Sequence, residues 1–368
     1  MIGIITLLTF ILGLVLLLVG AEILVRGASR LATASGISPL VVGLTVVAFG
    51  TSAPELAITI QSTLAGQSDL ALGNVVGSNI ANVLLILGLA ALISPLAVAP
   101  QILRLDIPVM IAVSVLLLVL ALDQTVSRVD GAVLLAGLLG YTGFTIVQSR
   151  RASARLQAEF AAEYGAPRRQ ALPTTLAQIG LVVLGLALLT LGARWLVDGA
   201  VAFATALGIS ELIIGLTIVS VGTSLPEIAA SVVASLRGER DIAIGNVVGS
   251  CIFNILSVLG ITSLLAPIGI SVPPAALSFD LPVMVAVAVA CLPIAFHGEA
   301  ILRWEGALFV GYYVAYTLYL VLNATHHEAL PVFSGIMWAF VLPLTAITLL
   351  VIVARQLYTG RRARAEPS

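Results

Sequence analysis

The chain of 368 residues contains no lysine, and only 10% of its residues are charged. Soluble domains carry roughly 25% charged residues, so an ordinary soluble domain is excluded. Without lysine there is no Gly-rich lysine loop to cradle a phosphate. The three histidines and two cysteines are scattered. Cys251 and Cys291 have neither metal-ligand spacing nor a disulfide framework and read as small apolar packing residues. His297, His326 and His327 look peripheral, and "THHE" at 325–328 reads as an exposed polar link. No His or Cys base–nucleophile pair lies near the centre of the chain, so enzymatic chemistry, resident cofactors and nucleic-acid binding are not expected. The net charge of −1 decides little.

What the sequence has is hydrophobicity. It is 60% apolar, in many runs exceeding the ~20 residues that cross a hydrocarbon core. In lipid such runs become helices, because every backbone polar group must find its partner within the chain. The expectation is an all-α polytopic membrane protein with spans at 2–24, 38–64, 70–93, 105–122, 129–149, 173–204, 210–236, 242–265, 279–296, 304–322 and 332–354. The fourth and ninth are expected to be short. The first run starts near Met1 without a basic segment or a small-residue cleavage site, and reads as a retained helix.

The chain repeats itself at an offset of 172: "GTSAPE" at 50–55 returns as "GTSLPE" at 222–227, and "LALGNVVGSNIAN" at 70–82 as "IAIGNVVGSCIFN" at 242–254. "LRLDIPVM" at 103–110 answers "LSFDLPVM" at 277–284, and "VDGAVLL" at 129–135 answers "WEGALFV" at 304–310. The organisation expected is a first five-span half at 1–149, a basic cytoplasmic linker at 150–172, a second half at 173–322, an extra transmembrane helix at 331–355 and a basic tail at 356–368.

Five is odd, so the second half enters the membrane from the opposite side. With the N-terminus outside, 15 of the 17 arginines face the cytoplasm, and only Arg128 and Arg194 do not. The positive-inside rule therefore favours an outside N-terminus and a cytoplasmic C-terminus. Inverted repeats are a common transporter architecture, with the site at mid-membrane between them.

Glu55 and Glu227 fall near the middles of the second and seventh spans. A carboxylate at the bilayer centre costs about 2.5–3.5 kcal/mol even on the lenient insertion scale, and the chain carries that cost twice at equivalent places. Pro54 and Pro226 lack the N–H that would bond one turn back, so each break frees backbone carbonyls. Gly50 and Gly222 permit an unwound or tightly packed turn. Carbonyls, hydroxyls and a carboxylate make an all-oxygen shell, suited to Ca²⁺ or Na⁺ rather than to zinc or copper. On the third span Ser78 and Asn82 share a face, as Ser250 and Asn254 do on the eighth. Gly73, Gly77, Gly245 and Gly249 would let these helices approach the broken ones. For Asn74, Asn79 and Asn246, ligation and helix–helix hydrogen bonding stand level. Asp106 and Asp280, each just before a Pro at a span entrance, read as helix caps. Glu22, Asp69, Asp198 and Asp241 sit near span ends.

"GTSAPE" with "GNVVGSNIAN", repeated as "GTSLPE" with "GNVVGSCIFN", resembles the paired alpha repeats of the calcium/cation antiporter superfamily, nearest its bacterial sodium/calcium exchanger branch. The resemblance covers roughly residues 1–322. It implies electrogenic exchange of Na⁺ for Ca²⁺ by alternating access. By that resemblance Glu55 and Glu227 are the ion-binding carboxylates, with Thr51, Ser52, Thr223 and Ser224 beside them. Ser78, Asn82, Ser250 and Asn254 complete the shell, and carbonyls near Ala48 and Ser220 flank the outer sites. Some exchangers carry Asp where this chain has Asn254, so the site here would hold a charge of −2. One Ca²⁺ balances that, and three Na⁺ would leave +1.

The reading is thus a Na⁺/Ca²⁺ antiporter of the bacterial inner membrane, with the two ions as substrates and the bilayer as surroundings. H⁺/Ca²⁺ exchange, a cation channel and a non-transporting scaffold stay open, and the oligomeric state is not specified.

Overall fold

The computed structural model describes residues 4–164, 172–209, 211–214, 217–218, 220–296 and 299–348. Among them nine helices are long and apolar enough to cross a bilayer: Ile4–Ser35, Ser68–Ile93, Ile102–Asp123, Arg128–Arg151, Thr175–Ala206, Arg240–Leu265, Ala276–Phe296, Arg303–Ala324 and Leu330–Thr348. The expected second span is a pair, Pro39–Thr51 and Ala53–Leu64, bent by 41° at Ser52. The expected seventh breaks likewise at Thr223–Ser224, between Ser220–Gly222 and Leu225–Leu236. Each of the eleven expected spans therefore coincides with helix, while the end of the last and the basic tail lie outside the described residues. The chain is an all-α polytopic membrane protein.

Three boundaries differ from expectation. The fourth and ninth spans are not short, at 22 and 21 residues. Asp106 and Asp280 are not caps either. Each closes a π-helical turn, Ile102–Asp106 or Ala276–Asp280, that runs directly into the next α-helix, so no free helix N-terminus exists there to cap. Asp106 instead accepts from Tyr141 Oη at 3.0 Å and Gln101 Nε2 at 3.3 Å, and Asp280 from Tyr316 Oη at 3.0 Å. These bonds tie the fourth span to the fifth and the ninth to the tenth. Finally, the fifth helix continues to Tyr164, into the stretch expected to be a link.

Two short antiparallel strand pairs join the halves. Strand β1 (Leu96–Ala97) pairs with β4 (Ala300–Ile301), and β2 (Thr125–Val126) pairs with β3 (Ile270–Ser271). Paired strands must lie on one face of the membrane, which requires an even number of crossings between them. Six spans separate β1 from β4, and four separate β2 from β3. The repeat-equivalent strands β1 and β3 are five spans apart and so lie on opposite faces. The pairing is what an inverted repeat demands.

Burial orders the helices. Arg240–Leu265 is buried over its whole apolar window and Ser68–Ile93 over 72%, against 22% for Ile4–Ser35 and 28% for Thr175–Ala206. The third and eighth spans are thus the centre, packed through Leu72, Val75, Ile80, Ile244, Ile252 and Ile255. The two long helices lie outside, against the broken spans, through Leu24, Val47, Leu189 and Ala230. They run antiparallel along a glycine seam. Gly13 meets Gly192 and Gly20 meets Gly185, while Gly27 packs on Val182 and Gly199 on Phe10, each helix placing its glycines seven residues apart. A Cβ on Gly20 would stand 2.7 Å from Leu189 N, and one on Gly192 2.5 Å from Leu17 N. Lipid supplies no hydrophobic drive between helices, so close backbone packing of small residues holds such a pair.

Candidate functional site

The second span breaks where its sequence requires. Pro54 cannot donate back along the helix, and Ser52 leaves helical geometry at φ −79°, ψ 6°. In the second half Ser224 does the same at φ −88°, ψ 6°. A new helix starts after each, with Glu55 or Glu227 in its first turn. The half-helix N-terminus carries a partial positive charge that favours an anion there, which offsets part of the cost of burial.

That burial is complete: Glu55 is 0% and Glu227 1% exposed. The two halves hold each other's carboxylate. Ser52 Oγ donates to Glu227 Oε1 at 3.3 Å, and Ser224 Oγ donates to Glu55 Oε1 at 3.4 Å. Thr51 lies within reach of Glu227 and Thr223 within reach of Glu55. Ser224 Oγ also lies 3.3 Å from Ser78 Oγ, which brings the third span into the same cluster. The crossed serine bonds bring the two carboxylates into one compartment.

The second oxygens are left over. Glu55 Oε2, Glu227 Oε2, Ser250 Oγ, Asn254 Oδ1 and both amide atoms of Asn82 are buried without a protein partner. Buried polar atoms are paired in the great majority of cases, and five unsatisfied side chains from four helices in one region mark a place prepared for something else. The ion pairs among the described residues join Glu22 to Arg26 and to Arg237, away from this cluster. No group of three His, Cys, Asp or Glu side chains occurs among the described residues, so the donors are hydroxyl, amide and carboxylate oxygens.

The backbone expectations fare differently in the two halves. The Ala48 carbonyl accepts from Ser52 N at 3.0 Å and from Thr51 Oγ1 at 3.3 Å, so in this conformation it is occupied rather than freed. In the second break Ser224 N bonds Val221 O at 3.1 Å, one residue short of an α-helical turn. Ser220 begins the short helix Ser220–Gly222, and its side chain lies outside the description.

The three uncertain asparagines are helix–helix ties. Asn74 Nδ2 donates to Thr59 Oγ1 at 3.0 Å and Glu55 O at 3.3 Å. Asn246 Nδ2 donates to Ser231 Oγ at 2.9 Å and Glu227 O at 3.4 Å, while its Oδ1 accepts from Thr51 Oγ1 at 3.1 Å. Asn79 reaches the opposite half. Thr59 and Ser231 escaped the sequence reading. The signal was there, since each stands four residues after its Glu, on the same helix face, in both repeats. Of the glycines, Gly245 and Gly249 do permit close approach, their Cβ positions lying 2.8 Å from Leu40 O and 2.6 Å from Leu44 O. Gly73 and Gly77 meet no such neighbour within 4 Å. Their expected contact, the first half of the seventh span, is only partly described.

The peripheral acids keep to the ends. Arg237 Nε donates to Glu22 Oε2 at 2.8 Å, Ser29 Oγ to Glu239 Oε1 at 2.8 Å, and Leu302 N to Glu305 Oε2 at 2.7 Å. In the expected exposed link, His327 Nδ1 accepts from Ala329 N at 3.1 Å.

The model of the sodium/calcium exchanger protein family matches residues 5–147 and 177–322. The chain belongs to the sodium/calcium exchanger family. Exchanger-family relatives cover most of it. The sodium/calcium exchanger MaX1 of Methanosarcina acetivorans is 35% identical over 343 residues, covering 85% of this chain and 97% of that protein. The inner membrane protein YrbG of Escherichia coli is 41% identical over 283 residues, 76% of this chain and 85% of that one. A solved structure of the sodium-calcium exchanger NCX_Mj, soaked with zero Na⁺ and Ca²⁺, superposes with a TM-score of 0.73 at 32% identity, covering 85% of this chain and 98% of that one. The family match stops at residue 322, so the helix Leu330–Thr348 lies beyond the part that the exchanger family shares.

Proposed function

We propose that the protein is a Na⁺/Ca²⁺ antiporter of the bacterial inner membrane, exporting Ca²⁺ against Na⁺ influx, with its N-terminus outside. The observation that carries the reading is the pair of fully buried carboxylates. Each is held on one oxygen by a serine of the opposite half, and each leaves its other oxygen without a partner. MaX1 and NCX_Mj, which carry exchanger names, support the choice of ions.

The chemistry follows from charge. Two carboxylates sealed from water repel each other, and among the described residues no cationic side chain pairs with them. An empty cage is therefore costly to close. One Ca²⁺ cancels the charge and takes both free carboxylate oxygens, with oxygens of Thr51, Ser52, Thr223, Ser224, Ser78, Asn82, Ser250 and Asn254 around it. Na⁺ competes for the same oxygens. Because the cage closes only when loaded, passage through the closed state requires one cargo or the other, which is the condition for antiport. Three Na⁺ against one Ca²⁺ moves one net positive charge per cycle.

The test is flux. Vesicles containing the purified protein should accumulate radioactive calcium under an imposed Na⁺ gradient, and a membrane potential should change the rate. Calcium flux that ignores the Na⁺ gradient and follows a pH gradient instead would refute the coupling ion.

A further inference from the structure

The two halves of the cage are not equivalent at one point. Asn79 corresponds to Cys251 by the repeat offset, and Asn82 corresponds to Asn254. Asn79 Nδ2 donates to the backbone oxygen of Cys251 at 3.1 Å. A backbone carbonyl can only accept, so this contact fixes which way the Asn79 amide faces. Its Oδ1 is then the atom presented to Asn254, and Asn254 Nδ2 donates to it at 3.1 Å. That bond in turn fixes the Asn254 amide and leaves Asn254 Oδ1, buried and without a protein partner, as the outward atom. Asn79, Cys251 and Asn254 are all buried, which keeps bulk water from competing for these contacts.

The other half reproduces only part of the relay. Cys251 Sγ lies 3.8 Å from Asn79 O, so the thiol stands in for the donor of an amide. It has no carbonyl to offer Asn82; the Asn82 amide meets the Cys251 thiol instead and makes no hydrogen bond to an oxygen. Sulfur is a weaker acceptor than an amide oxygen, so Asn82 is oriented more loosely than Asn254, and a pre-oriented amide loses less freedom on binding.

We propose that Asn79 is a positioning residue that turns the Asn254 carbonyl toward the cation, making Asn254 a preset ligand and Asn82 a more loosely oriented one. This rests on the antiporter reading. It adds a residue outside the ion shell that sets affinity through another side chain.

The experiment is a double-mutant cycle on the purified full-length chain, reading Ca²⁺ affinity by titration calorimetry and maximal Na⁺-driven flux in vesicles. Asn79→Leu keeps roughly the side-chain volume without the amide, and Asn79→Ala provides a second variant if one folds poorly. Each is expected to weaken Ca²⁺ binding on the order of tenfold. In an Asn254→Ala background the same change should have no further effect on affinity, because the side chain it orients is gone. In an Asn82→Ala background the loss should persist in full. Equal losses in the Asn254→Ala and unaltered backgrounds would make Asn79 merely structural and overturn the inference while leaving the antiporter reading intact. Failure of the unaltered protein to bind Ca²⁺ would overturn both.

Discussion

Replacing Glu227 with Gln tests the cage with little change of shape. Ser52 donates to Glu227 Oε1 at 3.3 Å, a bond the glutamine carbonyl can keep. The amide nitrogen then takes the place of Oε2, which has no partner, and aims a donor where a cation would sit. The gross attraction lost between a unit charge and a divalent ion at ~2.4 Å is about 14 kcal/mol at an effective dielectric of ~20. Dehydration cancels most of it, and breaking a buried charge pair costs about 3–5 kcal/mol net. At ~1.4 kcal/mol per tenfold, Ca²⁺ affinity should fall by roughly two to three and a half powers of ten. Thermal unfolding in detergent reads this directly. Ca²⁺ at a hundred times its dissociation constant stabilises by about 2.7 kcal/mol, and at or below the variant's own constant by no more than about 0.4 kcal/mol. The ion-free variant should change in the opposite sense. With chelator present and Na⁺ absent, Glu227→Gln should melt no lower than the parent, because one of two repelling buried carboxylates is gone. A retained Ca²⁺ shift, or an ion-free variant clearly less stable than the parent, would refute the reasoning.

Gly192→Ala should destabilise by roughly 1–3 kcal/mol through overpacking, because its Cβ would stand 2.5 Å from Leu17 N; Gly180→Ala on the same helix, where nothing lies within 4 Å, is the neutral control in the same melting assay. Tyr141→Phe removes the hydroxyl bonded to buried Asp106 at 3.0 Å and should cost about 1–3 kcal/mol, lowering the melting temperature without altering Ca²⁺ affinity by calorimetry. Ending the chain before Leu330 removes a helix with no buried residue among those described, so Na⁺-driven Ca²⁺ flux should survive; its loss would give that helix a role in transport.

Much of this was legible in the residues because membranes narrow the choices. Apolar runs in lipid must be helices, and an odd number of spans per repeat makes the second half an inverted copy of the first. Pro54 and Pro226 announced the breaks, and the two buried Glu announced the cost that has to be met. Asp106 and Asp280 misled, since an acid before a proline looks like a helix start. A preceding π-helical turn, which has no clear sequence signature, makes the position interior instead. Asn79 shows the same limit from the other side. Its residue type permits either ligation or a tie between helices, and only the placement of the Cys251 carbonyl selects the tie.

The sequence by itself determined which segments cross, that the halves are inverted copies, and which oxygens lie deep in the bilayer, because each depends on local hydrophobicity, backbone chemistry or charge count along one chain. Tertiary structure alone decided that Ser52 serves Glu227 and Ser224 serves Glu55. It also decided that Asn254 is held by Asn79 while Asn82 meets the Cys251 sulfur, and that the long outer helices close on a glycine seam. These are distances between residues far apart in the chain. Nothing short of the packed fold brings them within reach of a hydrogen bond or a van der Waals contact.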